Sequence, residues 1–330
     1  MLYLLQYNNC RFYELQSKKT LKYLLGIKEN KLFRQDYVAS LIEPYIDKTG
    51  KPRLIEPPNT ELKLVQKRIK TLLGQIEVPN NVFSGIKGRS YADNALLHKG
   101  DWPRFLFKID LTAFFPSISR EAVYKFFHED LRCSPDVSQI LSNLTTIDLE
   151  KAQAKNITAV RQFLEEKKVK CTNHLISGAP TSQILSYLVN HQMFDEMQAL
   201  ADRCGITMSI YVDDVTFSSE YRISHRFKSI IFNIIKKYNY QISKKKVKSY
   251  SKLYPKVVTG VIIDSTGELT IKNSLRKKII LEYEHLCNYP NDTESRQRLK
   301  GLLTAARQVE KYAYPTIYKI AFNSLSSGHK

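Results

Sequence analysis

The stretch Thr207 to Ser219 constrains this chain more than any other. Two β-rich arms, Thr-Met-Ser-Ile-Tyr and Val-Thr-Phe-Ser-Ser, flank the adjacent carboxylates Asp213 and Asp214. Such alternation around a short break predicts a hairpin with both acids at its tip. Neighbouring carboxylates disfavour each other's ionisation unless a cation sits between them. A second apolar segment, Arg104 to Leu111 (RFLFKIDL), suits a buried strand and delivers Asp110 at its end. Three carboxylates at strand ends are what two Mg²⁺ ions, roughly 4 Å apart, need for in-line phosphoryl displacement. An Asp-Asp pair alone is also an ordinary choice for a turn. The surrounding residues have to decide.

Charge narrows the partners. Lys and Arg number 51 against 32 Asp and Glu, a formal net charge of +19. So large an excess opposes compaction, and a polyanion relieves it, so nucleic acid is the favoured partner ahead of an anionic membrane surface. Residues 221–260 hold eleven basic residues and no acidic one. A segment of that kind tracks a phosphate backbone without reading bases. The cysteines Cys10, Cys133, Cys171, Cys204 and Cys287 are scattered, with no CxxC pair. That argues against a disulfide framework or zinc site and for a reducing cytosol. The N-terminal MLYLLQYNNC has no basic leader, and no apolar run nears the roughly 20 residues that span a bilayer. A cytoplasmic protein without membrane contact is expected.

Periodicity predicts helices over Lys19 to Leu25, Asp36 to Ile46, Thr60 to Leu73, Thr181 to Arg203, Asn273 to Leu286 and Thr293 to Tyr312. Lys51 to Pro58 reads as a short strand closed by prolines, and Ser119 as an N-cap. Leu149 to Lys170 reads as a charged helix or insertion. Helices interspersed with hairpins give an α+β class.

In this order, Asp110-Leu-Thr-Ala-Phe-Phe115, Gly178-Ala-Pro-Thr-Ser182, Tyr211-Val212-Asp213-Asp214 and Ile242-Ser-Lys-Lys-Lys246 resemble four motifs of the reverse transcriptase family. The resemblance implies a right-hand polymerase with fingers, a palm of antiparallel sheet plus helices, and a helical thumb. Residues 1–104 would be fingers and N-terminal helices. Residues 105–263 would be the palm, with a fingers-like insertion at about 148–172, and 264–330 the thumb. It implies that Asp110, Leu111, Asp213 and Asp214 hold two Mg²⁺ ions, with Mn²⁺ as a substitute. Lys51 and Arg53 would grip the triphosphate of a dNTP, and Ser177 and Gly178 would face the nucleotide. Phe115 would exclude a 2′-hydroxyl, or simply pack beside Phe114. Lys246 would protonate the leaving pyrophosphate, or join Lys244 and Lys245 in a phosphate-binding run. Tyr211 would contact nucleic acid. Arg296 and Arg298 would grip the duplex, or line a solvated helix face. The family usually has Gln where this chain has Ser177, and often Pro where it has Gln183.

Asn94-Ala-Leu-Leu-His98 and Val258-Thr259-Gly260 resemble the NAxxH and VTG boxes of the bacterial retron branch. The branch implies an RNA-directed DNA polymerase whose cognate non-coding RNA is template and primer. Priming is from a guanosine 2′-hydroxyl to give branched RNA–DNA (msDNA), with a separate effector or toxin protein in phage defence. Asn94, His98, Val258, Thr259 and Gly260 would then contact RNA. A group II intron-like or diversity-generating enzyme is the alternative within the family. An RNA-binding scaffold or antitoxin subunit is the alternative outside it.

Overall fold

A computed structural model describes residues 5–101, 103–152 and 154–322. The expectations for Met1 to Leu4 and for residues 323–330 of the thumb lie outside the described residues. The strands, in chain order, are β1 (Tyr45–Asp47), β2 (Arg53–Ile55), β3 (Phe105–Asp110), β4 (Thr146–Asp148), β5 (Asn173–Leu175), β6 (Thr207–Tyr211), β7 (Asp214–Ser219), β8 (Lys248–Tyr250), β9 (Lys256–Val258), β10 (Val261–Ile263) and β11 (Leu269–Ile271). They form a four-stranded sheet in the order β6-β7-β3-β8, a three-stranded sheet β11-β10-β9, and the pairs β1-β2 and β4-β5. The class is α+β, and the pairings are antiparallel.

The central sheet follows directly from the sequence. β3 lies between β7 and β8, and four of its six residues are buried, so it reads as a continuous apolar run. Phe107 on β3 stacks on Phe217 of β7, with ring centroids 5.7 Å apart. β6 and β7 form the expected hairpin, whose register puts Tyr211 opposite Asp214, while β3 puts Asp110 opposite the same Asp214. Two chain segments far apart in sequence thus bring their acids to one sheet end.

Helices Thr60–Leu73 and Arg120–Lys125 form where expected, the latter capped by the Ser119 hydroxyl, which accepts from Ala122 N–H. Four expectations need correction. The helix expected over Asp36 to Ile46 stops at Ser40, because Pro44 ends it and Tyr45–Asp47 pairs with β2. The helix expected over Thr181 to Arg203 is two, Ser182–Leu188 and His191–Arg203. At the break, the Asn190 amide donates back to the Ser186 carbonyl and its oxygen accepts from Tyr240 Oη, a side-chain alternative to the helical ladder. Among the described residues of the 149–170 stretch only Ile157–Glu166 is helical. The last region has a third helix, Pro315–Phe322, and its second helix ends at Val309.

One apolar cluster runs from Phe12 through the helices before β3 and on through the central sheet. A second, built on Ile279, Leu286, Leu299 and Leu303, belongs to the last three helices. The C-terminal region therefore has its own core. Among the described residues no helix is long and apolar enough to cross a membrane.

Candidate active site

A cleft of about 810 Å³ opens at the acid-bearing end of the central sheet. Six separate segments wall it: the β1–β2 hairpin with Lys51 and Arg53, residues 110–116, Phe163 and Lys167, the Ser177–Gly178 loop, Val212–Asp213, and Ser243 with Lys246. Backbone hydrogen bonds fix their relation. Leu111 N–H donates to the Asp213 carbonyl at 2.8 Å, and Ser243 N–H donates to the Asp110 carbonyl at 2.9 Å. The hairpin tip and the 243–246 segment are thus both tied to the end of β3.

The tip is a two-residue turn, Val212-Asp213, in which Val212 takes φ +59°. A β-branched residue rarely adopts that left-handed region, at a cost of about 1–2 kcal/mol. Such strain persists where the surroundings over-determine it, commonly at functional sites.

The electrostatics are those of a site short of positive charge. Asp110 is buried and forms an ion pair with Lys246. Asp214 pairs with Lys108 at 2.5 Å, and its other oxygen, Oδ1, is buried without a partner. Burial, then the neighbouring Asp110 carboxylate, pushes Asp213 up to about 6. Burial also raises Asp214, against the lowering pull of Lys108. Among the described residues no three acidic, His or Cys side chains close into a preformed metal cage. What the site holds is three carboxylates, one with an orphaned oxygen, partly compensated by Lys108, Lys246 and a backbone hydrogen bond at Asp213. All-oxygen donors in an anion-rich pocket fit a hard divalent cation.

The remaining cleft residues sit as follows. Phe115 is half-buried, stacks 6.4 Å from Phe114 and keeps one side on the cleft. Phe114 also borders the cleft but is buried, packing on Phe194 and Tyr240, so the two rings of the pair differ in exposure. Lys51 is exposed, while Arg53 reaches Asp47 at 2.9 Å. The Thr49 hydroxyl and amide, then Arg53, hold the Asp47 carboxyl down at about 2. Ser177 Oγ donates to the Leu54 carbonyl, and Gly178 has φ +113°, open to glycine and not to a usual L-residue. Tyr211, half-buried at the end of β6, and Lys244 and Lys245, exposed on a 3₁₀ turn, adjoin the cleft residues without lining the cleft.

The other flagged residues lie outside the cleft. Asn94, His98 and Val258 are buried, with no surface for direct RNA contact as packed. His98 Nδ1 and Nε2 meet Ser218 Oγ and Ser209 Oγ at 2.8 and 2.7 Å, bracing β7 to β6. Burial, then the Arg104 charge, pushes His98 down to about 3, so its ring is neutral near pH 7. Asn94 Nδ2 donates to Thr259 Oγ1, which donates to the Tyr91 carbonyl. Thr259-Gly260 is the turn of the β9–β10 hairpin, with φ +43° and +94°, and only this turn of the box reaches solvent. Arg296 donates to the Ile320 and Pro290 carbonyls, and Arg298 pairs with Glu282 and Glu294. These two arginines already hold the C-terminal helices together.

Sequence reasoning missed Asp47, Phe163, Lys167, Glu56 and His174. The Asp47-x-Thr49 spacing is a readable Asx-turn signal. The i, i+4 spacing of Phe163 and Lys167 shows a shared helix face, but not that it meets the cleft.

Residues 45–280 match the family model described as reverse transcriptase (RNA-dependent DNA polymerase). The chain is 26% identical over 227 residues to the retron Se72 reverse transcriptase of Salmonella heidelberg (strain 579083-10), covering 66% of this chain and 52% of that one. It is 26% identical over 265 residues to the retron Mx65 reverse transcriptase of Myxococcus xanthus, covering 79% and 59%. With the retron Ec73 reverse transcriptase of Escherichia coli it shares 24% identity over 288 residues, covering 84% and 85%. The chain thus spans little more than half the length of the first two.

Proposed function

The chain belongs to the reverse transcriptase (RNA-dependent DNA polymerase) family, and from that premise we propose that it is a retron-type RNA-directed DNA polymerase. The single observation that carries the reading is the cleft, where Lys51 and Arg53, Phe115, Gly178, Asp110 and Asp213 share one cavity. A triphosphate, a sugar and a two-metal centre require those chemistries side by side. On this reading residues 1–104 act as fingers, 105–263 as palm and 264–330 as thumb.

Asp110, Asp213 and Asp214, with the neighbouring Leu111, would hold two Mg²⁺ ions, or Mn²⁺ in their place. When bound, the ions supply activation of the attacking hydroxyl and stabilisation of the leaving pyrophosphate. The chain's own residues do the rest. Lys51 and Arg53 bind the triphosphate from the β1–β2 side, with Asp47 holding the guanidinium of Arg53 in place. Phe115 presents its ring where a ribose 2′-hydroxyl would sit. Lys246, which pairs with Asp110, gives a proton to the leaving pyrophosphate. Lys244, Lys245 and Tyr211 meet the template–primer.

The retron assignment rests on the NAxxH and VTG boxes and on the names of the similar proteins. It assigns the chain a cognate structured RNA as template and primer, a guanosine 2′-hydroxyl as nucleophile, branched RNA–DNA as product, and an effector partner in phage defence. Thr259 and Gly260 are the RNA-facing part of their box, and Asn94 holds them. A cytoplasmic setting follows. Coexpression with the non-coding RNA encoded beside the gene, then sequencing of the copurified nucleic acid before and after debranching, tests this. DNA joined 2′–5′ to RNA is expected. A DNA 5′ end already free before debranching overturns 2′-priming, and absence of any templated DNA overturns the polymerase reading.

A further inference from the structure

Beneath the cleft lies a buried ion-handling pair that the chemistry above does not use. Glu56 follows β2 directly, and His174 lies in β5; neither side chain has any exposed area. His174 Nε2 meets Glu56 Oε1 at 2.9 Å, and His174 Nδ1 meets the Cys171 carbonyl at 3.3 Å. A carbonyl only accepts, so Nδ1 must carry a proton, and a second proton must sit between Nε2 and the carboxyl. The other Glu56 oxygen, Oε2, accepts from Ser177 N–H at 2.6 Å. The two backbones also meet, since Glu56 N–H donates to the Ser177 carbonyl at 2.7 Å. Ser177 Oγ closes the set on the Leu54 carbonyl at 3.0 Å.

These contacts join two walls of the cleft. Glu56 ends the strand that carries Arg53, and Ser177 opens the loop that carries Gly178. Ile176 and Ser182 anchor the ends of this loop, but between them Gly178 at φ +113° is conformationally permissive, so the Glu56 contacts fix its middle. Burying a carboxyl and an imidazole is costly unless each is fully bonded, as both are here. We infer that Glu56 and His174 are positioning residues that clamp the Ser177–Gly178 loop onto the Arg53 strand and so set the width of the nucleotide-binding wall. The inference rests on the polymerase reading for what the wall binds, but not for the clamp itself.

The bonding makes an asymmetric prediction. In Glu56→Gln, the amide oxygen can accept from Ser177 N–H while its NH₂ donates to a neutral His174 Nε2, so every bond survives. Glu56→Ala leaves both partners without one, and Glu56→Asp, one carbon shorter, cannot span them. The test measures steady-state dNTP incorporation on an annealed RNA template. In parallel it measures amide exchange of the 173–181 segment and thermal unfolding of all three variants. Glu56→Ala or Glu56→Asp should raise KM for dNTP about tenfold with kcat within about threefold, and should speed exchange at Ser177. Glu56→Gln should match the wild type in both. Equal behaviour of the Gln and Ala variants, or unchanged KM and exchange in a folded Ala or Asp variant, overturns the clamp. If neither the Ala nor the Asp variant folds while the Gln variant does, the pair is a folding determinant and the inference also falls. A wild-type chain with no templated extension counts against the polymerase reading, and the exchange arm then decides the clamp alone.

Discussion

Two hairpins of this molecule turn in two residues, and each forces a β-branched residue to positive φ: Val212 at +59° and Thr259 at +43°. Their support differs. Thr259 is braced from the side, accepting from Asn94 and donating to the Tyr91 carbonyl, while Tyr91 Oη donates to the Ala305 carbonyl on the Thr293–Val309 helix. Val212 has no side-chain hydrogen bond to give, and its turn is held by Leu111 N–H on the Asp213 carbonyl. Around the first turn lie acids whose charges are only partly compensated; around the second the polar contacts are partly buried, at 2.8 and 3.2 Å. Both regions carry short sequence motifs. One motif set converges on an open cavity, whereas the other is spent on holding a turn. A motif therefore marks residues that matter without saying whether they touch a ligand.

The comparison breaks most sharply at Asp110. Asp110→Asn keeps the shape but removes a charge from the proposed metal-binding set, so templated extension should fall at least about a thousandfold. Melting temperature and RNA affinity should hold. A single-turnover assay beside a thermal melt checks this, and loss of folding in the variant would make Asp110 a packing residue.

At His98, which braces β6 to β7 along the first hairpin, the effect should appear in stability instead. His98 is held at about 3 in the fold, below its ordinary value of about 6.5. The unfolded chain therefore binds the extra proton first, and stability is full above about pH 6.5 and lost as pH falls towards 3. Between pH 6.5 and 5 that is about 2 kcal/mol from this one group. Denaturant titrations across that range should show the loss in wild type and not in His98→Gln. An equal slope in both would place the acid sensitivity elsewhere.

Smaller effects should separate the two rings of the aromatic pair. Phe115→Val should reduce dNTP-over-rNTP discrimination by about ten- to a hundredfold and leave the fold intact. Phe114→Ala should instead cost about 3–5 kcal/mol of stability. Unchanged discrimination in Phe115→Val would return Phe115 to the packing role of its neighbour.

The turns themselves give the smallest difference. Val212→Gly removes the left-handed penalty but gives up the side chain's partial packing on the main core and adds glycine's backbone freedom, so its net gain should be no more than about 1 kcal/mol. Thr259→Gly removes the same penalty but also loses two hydrogen bonds, each worth about 1 kcal/mol, so it should gain nothing or lose slightly. Equal gains at both sites would show that the bracing of Thr259 by Asn94 is idle.

Much of this was readable beforehand, for physical reasons that can be named. The Thr207–Ser219 hairpin and β3 announce themselves because period-two alternation and a buried apolar run are local signals. Asp110 and Asp213 could be matched only through the family resemblance, since no local rule says that strands about 100 residues apart pair. The burial of Asn94 and His98 was not readable, because a polar residue in a motif looks the same whether its partner is RNA or Ser209. Glu56 and His174 were invisible for a similar reason. Their contact joins segments 118 residues apart, and neither sits in a matched motif. The break at Asn190 depended on a partner, Tyr240, 50 residues away.

The most direct test is single-nucleotide incorporation by purified wild type and Asp213→Asn on an RNA template with an annealed primer, in Mg²⁺, with one complementary and one mismatched dNTP. The account predicts that the wild type adds the complementary deoxynucleotide alone. It also predicts that Asp213→Asn, folded and bound to the same template, adds neither. Incorporation by Asp213→Asn at close to the wild-type rate would contradict it.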